Sequence, residues 1–91
     1  MTTEENLMAD EIKYEYFRVV RMPREPGRKT DVYEVVSREE TFLGTLQWYG
    51  PWRQYCFFPE YDTVWSAGCL RDVQAFLDGL AEERKKGERD G

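Results

Sequence analysis

Ninety-one residues make one domain with a single thin core, and no apolar run approaches the roughly 18 residues that cross a bilayer. A net charge of −5, from 18 acidic against 13 basic side chains, argues against indiscriminate binding to nucleic acid, which depends on phosphate neutralisation. There is no histidine and there are only two cysteines, Cys56 and Cys69, so the usual neutral-pH base is missing and a tetrahedral zinc site lacks ligands.

Residues 1–11 are acidic, without the basic start and apolar block of a secretory signal, and are expected to be a disordered leader to a domain spanning 12–86. A cytoplasmic location with reduced thiols follows as the expectation. From Ile12 to Met22, rings and β-branched residues mixed with charges predict a first strand. Its alternation breaks near Tyr16-Phe17, where a β-bulge is expected. Pro23 to Lys29 is a loop built on Pro26-Gly27. Thr30–Ser37 reads as a second strand, antiparallel to the first because the connection is too short for a parallel crossover. Arg38-Glu39-Glu40 is a polar turn.

Thr41–Tyr49 is the third strand, where Leu46 and Trp48 alternate with Thr45 and Gln47. Gly44 inside it marks a bulge or a close approach of another element. Gly50–Arg53 turns the chain, Gln54–Phe58 forms a fourth strand, and Pro59 ends it because proline cannot donate to a ladder. The pattern then changes. Ser66 is a good N-cap, and Cys69, Leu70, Val73, Phe76, Leu77 and Leu80 recur at three- and four-residue steps, predicting one amphipathic helix over 67–86. Gly87 is the expected stop, with 87–91 frayed. An isolated helix of this length is marginal in water, so it must lie on the sheet. The predicted fold is α+β: a four-stranded antiparallel β-meander with one C-terminal helix packed on one face, ββββα.

Three tryptophans, six tyrosines and five phenylalanines form an unusual aromatic load, and its densest stretch is the hairpin from Leu43 to Pro59. One helix covers one face of a sheet, and successive residues point to opposite faces. Trp48 and Tyr49 therefore cannot both reach the helix side, nor can Phe57 and Phe58. A protein-binding surface made from Tyr49, Trp52, Tyr55 and Phe57 with Arg53 is the expectation, since exposed aromatics beside an arginine match interaction hot spots. Cover by strand twist and by Trp65 is the competing reading. A second candidate is the local excess of positive charge at Arg18, Arg21, Arg24, Arg28 and Lys29, broken only by Glu25. It could meet phosphate or an acidic partner, and with the rings it describes a single-stranded nucleic-acid platform. The ordinary reading of that segment is a solvated loop with its flanks.

No Gly-rich phosphate loop, nucleophile elbow or metal-binding spacing occurs, so no enzyme, catalytic residue, metal or cofactor is expected. Cys69 reads as part of the helix's apolar stripe rather than as a reactive thiol. The segment Gly44–Pro59, followed by Thr63–Leu70 and by Asp72-Val73 and Phe76-Leu77, resembles small uncharacterised proteins of bacteriophages and bacteria. That resemblance carries over no functional residues. It implies a protein partner, such as a host protein or nuclease complex that the chain modulates, with the chain itself a monomer or weak homodimer.

Overall fold

The structure, a computed structural model, describes residues 11–90 and the side chains of 11–85. Five antiparallel strands pair in chain order: β1 (Glu11–Lys13), β2 (Phe17–Arg21), β3 (Tyr33–Ser37), β4 (Phe42–Tyr49) and β5 (Gln54–Pro59). One helix, α1 (Ala67–Asp90), follows them. The α+β meander with its C-terminal helix is as expected, but the sheet has five strands rather than four. The predicted first strand is two. Its broken alternation is a hairpin and not a bulge, with Ile12 opposite Val19 and Lys13 opposite Arg18. The Tyr14 N–H donates to the Phe17 carbonyl at 2.8 Å, and the two rings pack at 5.3 Å. Folding back puts Ile12 and Val19 on one face, which a continuous strand could not do, because residues of opposite parity point opposite ways.

The remaining turns follow their chemistry. At the β3–β4 turn the Ser37 hydroxyl accepts from the amides of Glu39 and Thr41, and Glu40 takes a left-handed conformation. A 3-10 turn at Gly50–Trp52, with Pro51 presetting its φ, joins β4 to β5. Arg53, at φ 53°, closes it by donating its N–H to the Gly50 carbonyl. Gly44 marks both a bulge and a close approach. The register slips from Val35–Gly44 to Val36–Phe42, and a Cβ on Gly44 would lie 2.5 Å from the Phe58 carbonyl oxygen.

The core lies between one sheet face and α1. Phe17, Val19, Tyr33, Val35 and Leu46 come from the sheet, and Val73 and Phe76 from the helix. Phe76 meets Tyr33 edge-on at 4.9 Å. Trp65, in the connection before the helix, closes one end against Phe57 at 4.7 Å and Phe17 at 6.0 Å. Ser66 caps α1 as predicted, accepting from the Cys69 N–H at 3.1 Å. Leu70 leaves the expected stripe and is half exposed. The helix also continues through Gly87 to Asp90 rather than ending there. Residues 1–10 and 91, including most of the expected acidic leader, lie outside the described residues.

Candidate protein-docking face

The register across the β4–β5 hairpin decides which rings are covered. Trp48 pairs with Tyr55 and Leu46 with Phe57, while Tyr49 pairs with Gln54, Gln47 with Cys56 and Thr45 with Phe58. Leu46 is fully buried, so its whole set, including Tyr55 and Phe57, points to the helix side. Tyr55 and Phe57 therefore do not belong to the open face, contrary to expectation. Phe57 packs on Trp65, and Tyr55 meets Trp48 edge-on at 5.4 Å. Burial and the nearby Asp31 carboxylate raise the Tyr55 phenol's pKa, while the Asp31 backbone hydrogen-bonds it. Arg84 of α1 lies 4.2 Å above the Trp48 ring, a cation–π contact that covers the end of this row.

The uncovered face carries the other set. Tyr49 sits between Trp52 at 5.1 Å and Phe58 at 5.8 Å, both edge-on, so three rings form one cluster at the hairpin end of the open sheet. Trp52 is 66% exposed and Phe58 36%. Phe42, opposite Val36 after the bulge, adds a further exposed ring. Arg53, exposed, stands beside Trp52 at the left-handed corner. Phe58 and Phe42 are the residues that reasoning from the sequence left out. The four-residue turn at 50–53 carried the signal for Phe58, because it sets Tyr49 opposite Gln54 and so Thr45 opposite Phe58.

The basic segment is not gathered into one patch. Arg18 lies on the open side of β2, where its guanidinium binds both oxygens of Glu40 at 2.5 and 2.7 Å and Glu11 at 2.7 Å. These contacts hold the Glu40 carboxyl below its ordinary pKa, chiefly through the hydrogen bonds from Arg18. Arg24 binds Asp31 at 2.9 Å, and Arg28 reaches Glu25 at 3.6 Å. Arg21, three residues from Arg18 and so on the opposite face, joins Asp31, Tyr33 and Glu83 around a concavity on the helix side. Lys29 is exposed in the loop. Arg18, Arg24 and Arg28 thus already have carboxylate partners, which lowers what phosphate could gain there.

Between β5 and α1 runs a groove of about 680 Å³, walled by Tyr55 and Phe57 on one side and by Leu70, Val73 and Leu77 on the other. Trp52 and Cys56 line it as well. Cys56 and Cys69 are both unbridged and half-buried. Among the described residues no helix is long and apolar enough to cross a membrane.

The chain is similar to an uncharacterised 9.3 kDa protein of Acholeplasma phage L2, with 34% identity over 73 residues that span 79% of this chain and 92% of that protein. No family model and no solved structure matches it.

Proposed function

This chain belongs to the family of the uncharacterised 9.3 kDa phage L2 protein, and we propose that it is a small non-enzymatic module that binds a protein of the host cell in the cytoplasm. The cluster of Tyr49, Trp52 and Phe58 beside Arg53 carries this reading. It is a contiguous aromatic surface on a sheet face that α1 does not cover, and rings with an adjacent guanidinium are the side chains that dominate binding energy at interfaces. The three rings brace one another edge-on, so little side-chain freedom is lost when a partner lands on them. Two unbridged thiols fit a reducing compartment. The carboxylate pairing of Arg18, Arg24 and Arg28 favours a protein over single-stranded nucleic acid as the partner.

The test is affinity capture from host lysate by wild type and by a Trp52→Ala, Phe58→Ser double variant, with circular dichroism confirming that the variant is folded. The captured partner should be lost at least tenfold, as truncation of two hot-spot rings implies. Undiminished capture by the folded variant refutes this surface. Titration of labelled single-stranded DNA at about 50 and 200 mM salt separates the nucleic-acid alternative, because phosphate-driven binding must weaken steeply over that range.

A further inference from the structure

The two edges of the sheet are unlike. β1 is three residues long and carries Glu11 and Lys13, the charged and short form that discourages pairing. β5 is six residues long and reads Gln-Tyr-Cys-Phe-Phe-Pro, without a charge, and among the described residues its only ladder is with β4. The Glu60 N–H donates to the Leu43 carbonyl at 2.9 Å, in the same register as the β4–β5 ladder. In an antiparallel pair the bonding residues alternate, so Phe58, Cys56 and Gln54 also direct their amides and carbonyls to β4. Tyr55, Phe57 and Pro59 direct theirs outward. Proline stands at an outward position, a kind of strand site that tolerates the missing donor.

We propose that this edge pairs with the same edge of a second copy of the chain, forming a continuous ten-stranded sheet about a two-fold axis at Cys56. The window is self-complementary. Tyr55 of each copy exchanges two backbone hydrogen bonds with Phe57 of the other, and Cys56 faces its own symmetry mate. The ladder then stops at both ends. The next residues opposed at a bonding position are Arg53 and Pro59: Pro59 has no N–H, and the Arg53 N–H is already bonded to the Gly50 carbonyl in a left-handed turn. On the helix side Tyr55 and Phe57 become direct cross-strand neighbours, the aromatic pairing that stabilises antiparallel ladders. An isologous contact of this kind closes at two subunits and does not propagate, because among the described residues each chain then has only the charged β1 edge left. The backbone contacts of this pairing lie on the rim of the sheet and the docking cluster on its flat, with Phe58 of that cluster opposite Gln54 of the second copy.

Sedimentation equilibrium of the full chain from about 1 µM to 1 mM should show monomer and dimer in concentration-dependent proportion. Cys56→Lys places like charges opposite each other on the axis and should raise the dissociation constant at least about tenfold, with the thermal melt of the monomer unchanged. A Val36→Lys change, on the same open face but two strands away from the edge, should leave it unaltered. Cys56 also reports the register directly. Residues opposed at a non-bonded position have Cα atoms about 4.5 Å apart, within disulfide range. Diamide, a two-electron oxidant that takes up the two thiol protons, should therefore give a covalent dimer of wild type and of Cys69→Ser but not of Cys56→Ser. A wild-type chain that stays monomeric to 1 mM overturns the proposal. So does a Cys56→Lys chain that dimerises like wild type, or a covalent dimer that needs Cys69.

Discussion

Replacing Gly44 by alanine tests the geometry on which the whole hairpin rests. An ideal Cβ at this position would lie 2.5 Å from the Phe58 carbonyl oxygen, 2.9 Å from the Pro59 Cα and 2.9 Å from the Phe57 ring. Two of these three atoms are backbone and cannot swing aside, so β5 must move away from β4. Its φ of 151° lies outside the regions that side chains favour. Overpacking of this kind costs about 1–3 kcal/mol and the backbone conformation about 1–2 more, together about 2–5 kcal/mol. A domain of this length has only about 5–14 kcal/mol of stability in total. Thermal unfolding followed by circular dichroism should therefore show Tm falling by at least about 10 °C. Gly50→Ala is the control, since nothing lies within 4 Å of its Cβ position, and it should change stability by no more than about 1 kcal/mol. If Gly44→Ala melts within about 3 °C of wild type, the close β4–β5 approach is wrong, and the assignment of rings to faces falls with it.

Leu46, with no exposed surface, should cost about 2–5 kcal/mol when cut to alanine, read as a lower urea midpoint at unchanged slope. Ser66→Ala removes the hydroxyl that accepts from the Cys69 N–H and should cost about 1 kcal/mol in the same assay, whereas Ser66→Asp should restore most of it. Tyr33 has its phenol pushed up to about 12, first by burial and then by the Asp31 charge. The unfolded chain ionises before the folded one, so this contribution is whole below pH 10 and is lost as pH rises towards 12, by about 2 kcal/mol. Absorbance at 295 nm should show the late-titrating component, and Tyr33→Phe should remove it.

The elements legible in the sequence are those whose cause is local. The helix was written in the three- and four-residue spacing of Val73, Phe76, Leu77 and Leu80 after a serine cap, and its start was found to the residue. The turns at 38–40 and 50–53 were legible because the first is a run of charged residues between two apolar stretches and the second carries the Gly50-Pro51 pair. The β1–β2 hairpin was not. Its tip, Glu15-Tyr16, contains no glycine, asparagine or proline, and a change of phase is common to a bulge and a reversal. What decides between them is the pairing of Ile12 with Val19 together with the contact of Arg18 with Glu40, 22 residues away and outside any local window.

The candidate sites divide along the same line. Five cations between residues 18 and 29 look like a patch when read along the chain. An odd separation within a strand, however, sends Arg18 and Arg21 to opposite faces, and the carboxylate that neutralises Arg18 is 22 residues away. Proximity in sequence was the wrong metric there, and parity was the right one. In the aromatic hairpin parity alone would have sufficed. Leu46 had to be buried as the centre of the cleanest alternation, and a four-residue turn places Phe57 opposite it. Tyr55 and Phe57 must then share the covered face, which leaves Tyr49 and Phe58 outside with Trp52. The same parity assigns the backbone of Tyr55 and Phe57 to the free rim, so a single register relation separates the face available to a foreign partner from the edge available to a second copy.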